Sequence, residues 1–405
     1  MTPVRSADAV NALLEHRLAQ RQAVNERYFE GHAAAIARLC HRLAERFARD
    51  GRLIAIGLSP AARSDVRHIA VEFVHPVIVG KRALPALGLT GESGGPAREL
   101  ELAARPQDIV VAFGEAGDGA ELTGAVAAAR ARGCLTVAFA QLGAEWELEP
   151  PTEDPFTRQE LVETAYHVVW ELVHVFFEHR GLLAGRTDRR SHDAGASSFL
   201  YPFLAEREDD LDAVLADVAQ SVTLKAREVT ELRAHTIGDG AAILTEAAAA
   251  LRESLDGGGT LLALGNGGSA TDAMDVVADF VDPPADSSWP PRHALDLCAD
   301  TAIITAIAND IGTDAIFARQ VIAYARPGDV LLALSTSGSS LSVIAALAEA
   351  RRRELVTIAL VGYDGGRVAS EELADHVIVT PSQHIPRIQE AQATAYHLLR
   401  ELVEL

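Results

Sequence analysis

The side chains best suited to chemistry in this chain come in two matched sets. The pattern QE-x3-TAYH runs from Gln159 to His167 and again from Gln389 to His397, offset by 230 residues at both ends (389 − 159 and 397 − 167). Each copy continues in a related tail, VVWELV and LLRELV. Imidazole changes charge near neutral pH, so each histidine is a candidate for moving protons. Upstream, VEFVHP at 71–76 aligns with ADFVDP at 278–283, which sets His68 opposite Asp275 and Glu72 opposite Asp279. Residues four apart share one helix face, so each repeat presents a polar pair there: imidazole and carboxylate in the first, two carboxylates in the second. The plainer alternatives are a solvated stripe in the second copy and inherited packing in the first.

The elements that must position these groups repeat as well. GRLIAIG (51–57) matches GTLLALG (259–265), and RPQDIVVAFGEAG (105–117) matches RPGDVLLALSTSG (326–338). Short apolar runs at 261–264, 330–334 and 357–361 are each followed by a turn and a helical pattern, which implies a parallel sheet covered by helices, with ligands at the carboxyl ends of its strands. The stretches 7–50 and 208–256 read as long helices rich in Ala, Leu, Glu and Arg. A segment around 183–206, rich in Gly, Arg, Asp and Ser, reads as a connection between halves. The expected division is 1–190, a linker at 191–207, and 208–405.

Two turns of the second half are built to receive an anion. GNGGSATD (265–272) and STSGSS (335–340) each follow a strand and open a helix. Glycines let the backbone approach a ligand, hydroxyls donate, and helix starts offer unpaired N–H groups. Ordinary helix capping is the alternative for the hydroxyls. The first half has lost both turns: GLSPAAR (57–63) and GEAG (114–117) stand in their places, and Glu115, Asp118 and Glu121 would repel a phosphate.

Composition narrows the class. The 405 residues are 48% hydrophobic, enough for two cores of about 200 residues. A net charge of −21 without a dense basic run argues against nucleic acid, and means that an anionic ligand must be held by local dipoles. No apolar run suggests a membrane span, no leader pattern is seen, and Cys40, Cys134 and Cys298 form no CxxC pair, so the expected setting is the cytoplasm.

Taken in order and spacing, GNGGS, AIANDIG (306–312), STSG, GYDGG (362–366), RIQE (387–390) and His397 resemble the sugar isomerase (SIS) family, and within it the phosphoheptose isomerases. The resemblance covers roughly 208–405. It implies an α/β protein of two tandem SIS domains, each a parallel sheet covered by helices in a flavodoxin-like three-layer sandwich. The first domain would be degenerate and without phosphate loops. The resemblance implies that Gly267, Gly268, Ser269, Ser335, Thr336, Ser337 and Ser340 hold a phosphate, and that Asn266, Asn309, Asp310 and Gln389 contact the sugar. Asp279 and His397 would exchange the proton. Where the family places H-x3-E, Gln and His around a divalent metal such as zinc, the second half has Asp275, Asp279, Gln389 and His397, and the first half has His68, Glu72, Gln159 and His167. Asp in place of His removes a nitrogen ligand, and Asp in place of Glu shortens the base, which weakens the case for zinc in the second half. Gln389 and His397 are also about 12 Å apart along a helix, far for one ion.

The resulting expectation is a phosphosugar aldose–ketose isomerase. Its substrate would be sedoheptulose 7-phosphate or a relative, turned over through an enediolate without a nucleotide cofactor. A homodimer would rebuild four SIS units. The alternative is a non-catalytic phosphosugar-binding regulator or protein-binding scaffold of the same fold.

Overall fold

The computed structural model describes residues 7–77, 81–91, 94–114, 119–178, 183, 210–285 and 287–405. The expected linker, 191–207, and the acidic residues Glu115 and Asp118 lie outside that set. The chain resolves into two compact units, each discontinuous in sequence. One comprises residues 1–23, 154–160 and 228–405, and the other 24–153 and 161–227. Sequence alone suggested a single cut near residue 200; the compact units instead interleave segments of both repeats.

The unit holding residues 24–153 contains five parallel strands, β1 (Leu53–Ile56), β2 (Ala86–Leu89), β3 (Ile109–Ala112), β4 (Leu135–Ala138) and β5 (Trp146–Glu147), in the order β2-β1-β3-β4-β5. The other unit contains β6 (Leu261–Leu264), β7 (Ala294–Asp296), β8 (Val330–Ser335), β9 (Val356–Gly362) and β10 (His376–Thr380), in the order β7-β6-β8-β9-β10. Its strands are also parallel. Counted within each repeat, both sheets read 2-1-3-4-5, the doubly wound flavodoxin-like order.

The central strands are apolar throughout because both sheet faces are covered. In β6, Leu261 and Ala263 enter one core cluster while Leu262 and Leu264 enter another on the opposite face. This is the period-two alternation of a strand between two helical layers. In β1, Leu53 and Ala55 separate from Ile54 and Ile56 in the same way.

Three helices position the polar residues. Helix α2 (Pro60–Val74) follows β1 and carries His68 and Glu72; α7 (Gly268–Val281) follows β6 and carries Asp275 and Asp279. The closing helix α12 (Ile385–Val403) starts with Pro386 in its first turn, where the missing N–H costs nothing. All its residues from Pro386 to Val403 are buried. Gln389 is therefore well inside a regular helix rather than at a frayed end. Burial on every side leaves Arg387, Gln389, Glu390, Thr394, His397, Arg400 and Glu401 dependent on protein partners, since an unpaired polar group there would cost about 1–3 kcal/mol.

Candidate active site

In the 2-1-3-4-5 order the connections leaving the first and third strands run to opposite faces, which opens a crevice at their carboxyl ends. The two hydroxyl-bearing turns leave the sheet at that point, because β6 and β8 are hydrogen-bonded neighbours in register from Leu261↔Val330 to Leu264↔Ala333. Asn266 ties the turns together: its Nδ2 donates to Ser340 Oγ at 3.0 Å and to Ser342 Oγ at 3.1 Å. Ser342 was missed by sequence reasoning, although it lies only two residues beyond the serine run, after Leu341.

Helix α7 begins after Gly267, which has φ +59° and no side chain to cap it. Helix α10 (Leu341–Arg352) begins after Ser340, whose hydroxyl makes no capping bond. Two neighbouring helix starts are thus left without side-chain caps, and their N–H groups and positive dipole ends suit an anion. Other hydroxyls are partly committed to the turn itself. Ser335 Oγ accepts from Gly338 N at 3.2 Å, and Ser337 Oγ accepts from Ser339 N at 3.2 Å. Thr336 is half-buried, Ser337 is exposed, and Ser269 is buried behind Gly268 at the start of α7. A Cβ on Gly338 would stand 2.2 Å from Gly365 O, which explains why STSG needs GYDGG beside it. Asn309 and Asp310 lie at the exposed end of helix Thr301–Asp310, where Asn309 Nδ2 donates to Asp310 Oδ1 at 2.7 Å.

The expected acid–base pair, Asp279 and His397, comes together between α7 and α12. His397 Nε2 is 3.7 Å from Asp279 Oδ2, and Tyr396 Oη, one residue earlier, is 3.5 Å from Asp275 Oδ2. Arg400 Nε donates to the Asp279 carbonyl at 2.9 Å, and its guanidinium lies 4.6 Å from the ring centres of both Phe280 and Trp289. This clamps the end of α7 against α12. Burial, reinforced by the charge of Asp275 and opposed by Arg400, holds the Asp279 carboxyl well above the usual carboxylate range. Burial also lowers His397 below its ordinary value, against the pull of Glu160. A neutral imidazole thus faces a carboxyl group that favours its protonated form.

The remaining neighbours of His397 come from the start of α5 (Pro155–Glu178), within the same compact unit. Glu160 Oε1 lies 2.9 Å from His397 Nδ1, Gln159 Oε1 lies 3.3 Å from His397 Nε2, and Phe156 stacks on the imidazole at 4.5 Å and 12°. The sequence grouping therefore needs revision. Gln159 was assigned to the set of His68, Glu72 and His167, and Gln389 to that of His397, but it is Gln159 that stands against His397. Both glutamines carry the same local pattern, and only packing distinguishes their destinations.

Among the described residues, the one group of three His, Cys, Asp or Glu side chains with ligand atoms within 4.8 Å of one another is His68, Glu163 and His167, all buried. The expected set Asp275, Asp279 and His397 does not form such a group. His68 Nε2 and His167 Nε2 are 3.3 Å apart, and Glu72 Oε1 is 3.9 Å from His68 Nε2. Two nitrogens bound at 2.0–2.1 Å with a tetrahedral angle would be about 3.3 Å apart, so this pair fits a divalent transition metal. Burial, then the neighbouring His167, pushes His68 well below its ordinary value, which favours the neutral form that ligates. Glu163 was also missed by sequence reasoning; the available signal was its position four residues before His167, on the same helix face.

Comparison with known proteins agrees with this architecture. Residues 226–362 match the SIS domain family. The phosphoheptose isomerase of Solidesulfovibrio magneticus is 42% identical over 177 residues, covering 44% of this chain and 85% of the relative. The chain belongs to the SIS-domain family of phosphoheptose isomerases. A second member, from a Roseiflexus species, is 40% identical over 197 residues, covering 47% of this chain and 91% of its own length. Likeness of fold extends over nearly the whole chain. The C-terminal domain of glucosamine-fructose-6-phosphate aminotransferase from Francisella tularensis aligns with TM-score 0.55 at 9% identity, over 94% of this chain and 93% of that one. A putative phosphosugar isomerase from Silicibacter pomeroyi aligns with TM-score 0.50 at 13% identity, over 96% of each chain. The family relationship thus spans under half of the chain, while the tandem SIS architecture spans nearly all of it.

Proposed function

We propose that this chain is a phosphosugar aldose–ketose isomerase acting on sedoheptulose 7-phosphate or a close relative. The observation that carries the reading is the pair of uncapped helix starts joined through Asn266, with His397 and Asp279 in the same compact unit. The phosphate would sit on the N–H groups and hydroxyls of the Asn266–Ser269 and Ser335–Ser340 turns, with Ser342 orienting Asn266. Asn309 and Asp310 are candidate sugar contacts at the end of their helix. His397 Nε2 would take the proton from C1 of the ketose, leaving an enediolate. The protonated Asp279 carboxyl would donate to the C2 carbonyl oxygen, the carboxylate so formed would take the proton from the C1 hydroxyl, and return of the carbon-bound proton to C2 would give the aldose. Positioned acid–base groups of this kind contribute about 10²–10⁴-fold to rate.

His68, Glu163 and His167 would hold a divalent metal, zinc by the nature of the donors. A bound ion there supplies Lewis acidity if a coordination position is open, and folding free energy if none is. Elemental analysis of purified protein, before and after His167→Ala, tests that assignment without reference to activity. The catalytic reading is tested by incubating the protein with sedoheptulose 7-phosphate and following aldose formation. Thermal stabilisation by the sugar phosphate without turnover would instead support a binding regulator of the same fold.

A further inference from the structure

The first repeat contributes more than a neighbour to His397. Glu160 is 1% exposed and all its contacts are specific. Its Oε1 faces His397 Nδ1 at 2.9 Å and accepts from Arg21 Nε at 3.0 Å; its Oε2 accepts from Thr394 Oγ1 at 2.7 Å and lies 4.0 Å from Arg233 Nε. Arg21 continues to Glu401 Oε1 at 3.1 Å. His397, Arg21, Thr394 and Arg233 thus offer Glu160 donors or cations. A carboxylate so surrounded only accepts hydrogen bonds, and the neutral imidazole must donate to it from Nδ1.

We propose that Glu160 is a positioning residue for the isomerisation read above: it fixes His397 in the Nδ1–H tautomer, so that the Nε2 lone pair is turned toward Asp279 and the substrate. The proposal rests on that functional reading, but its central claim, the tautomer, can be measured without turnover. A second contact fits it once the Gln159 amide is turned about its last bond. Gln159 Oε1 faces His397 Nε2 at 3.3 Å while Gln159 Nε2 is buried with no partner. Two acceptors cannot bond each other. Turning the amide about its last bond lets its NH2 donate to the Nε2 lone pair, which gives the orphaned group a partner and the lone pair a resting one. The Phe156 ring, stacked on the imidazole at 12°, holds its plane. The QE pair of the first repeat therefore sets both nitrogens of a histidine in the second repeat.

The test is ¹⁵N NMR of the full-length protein with labelled histidine, the His397 signals being assigned by their loss in His397→Gln. Protonated Nδ1 and unprotonated Nε2 at neutral pH are expected. A wild-type His397 protonated on Nε2 alone would overturn the proposal, whatever the variants do. Glu160→Gln provides the kinetic arm. Arg21 Nε and His397 Nδ1 both point donors at the Oε1 position, so the new amide must place its oxygen there and its NH2 toward Thr394, whose hydroxyl can turn to accept. The tautomer should persist, and kcat should fall less than about 10-fold. Glu160→Leu removes the acceptor; kcat should fall about 100-fold or more with KM changed less than about 3-fold, and the Nδ1–H signal should be lost. Equal losses in kcat for Gln and Leu with the tautomer unchanged would show that Glu160 acts only as a buried charge. Absence of turnover in wild-type protein would remove the functional reading while leaving the NMR result to decide the tautomer.

Discussion

The helix that follows the first strand is treated in opposite ways in the two repeats. In the N-terminal repeat, α2 is closed on itself: Ser59 Oγ accepts from Ala62 N at 3.2 Å, and Pro60 has no N–H to offer. In the C-terminal repeat, α7 starts behind Gly267 without a cap, and α10 starts behind a Ser340 hydroxyl that bonds the side chains of Asn266 and Ser342 rather than a backbone N–H of its helix. The strand order is the same, so the crevice exists in both. What differs is whether the backbone donors at its floor are already satisfied. A fold can therefore keep its architecture while a few residues decide whether its helix starts carry side-chain caps.

The polar clusters diverge in a parallel way. The N-terminal repeat retains two imidazoles and a carboxylate within reach of one ion; the C-terminal one has Asp279 and His397, extended by Glu160 of the first repeat into a carboxyl–imidazole–carboxylate line. The comparison would break most visibly at His397. His397→Gln is expected to lower kcat about 10²–10⁴-fold while thermal stabilisation by the sugar phosphate remains. Turnover surviving that change would move the chemistry to the N-terminal cluster.

Acid should separate the two units next. His174 is buried, with Nδ1 2.8 Å from Trp170 O and Nε2 3.0 Å from Arg82 O, of which the neutral ring can donate to one; burial, followed by Lys81, outweighs these carbonyls and lowers its pKa from 6.5 to about 4. Between those values the unfolded chain binds more protons than the folded one, so stability falls as pH falls, by roughly 3 kcal/mol for this residue. For Glu160, burial would raise the pKa, but Arg21, the His397 hydrogen bond and Arg233 together hold it well below the usual carboxylate range. The stability it contributes is present above the ordinary glutamate value and lost only in stronger acid. On titration from pH 7 to 4 monitored by hydrogen exchange, amides of residues 24–153 should lose protection first. His174→Gln should flatten that loss.

Substitutions at the helix starts sharpen the contrast further. Ser340→Asp would give α10 the side-chain cap that it lacks. It should raise stability by about 0.5–1 kcal/mol and weaken sugar phosphate binding about 10- to 100-fold, read by thermal melting and calorimetric titration. Equal affinity in the variant would show that α10 does not hold the phosphate. The smallest effect belongs to Ser59→Ala, which should cost about 1 kcal/mol in denaturant unfolding and leave phosphosugar affinity unchanged.

Much of this was legible in the residues because it is local. The repeat offset, the apolar runs of Leu261–Leu264 and Val330–Leu334, and the glycine- and serine-rich turns after them specify parallel strands and helix starts; the order 2-1-3-4-5 is seen only in the fold. Period and turn chemistry act over a few neighbours and can be read without coordinates. The partners of His397 could not be read in that way. Glu160 is 237 positions away from it and Arg21 comes from the first helix, and neither position carries a local signal of its destination. QE occurs identically before His167 and His397, so the motif fixed that a Gln–Glu pair would be used but not where. That choice belongs to packing: the first turn of α5 joins the compact unit of the C-terminal sheet, where a buried imidazole, arginine and threonine leave room for one carboxylate. The sequence by itself determined two repeats of strand and helix and the glycine- and serine-rich turns of the second, because hydrogen-bonding pattern and steric propensity are short-range. Tertiary structure alone decided which repeat supplies the partners of His397, because burying a charge requires donors that only the folded chain brings together.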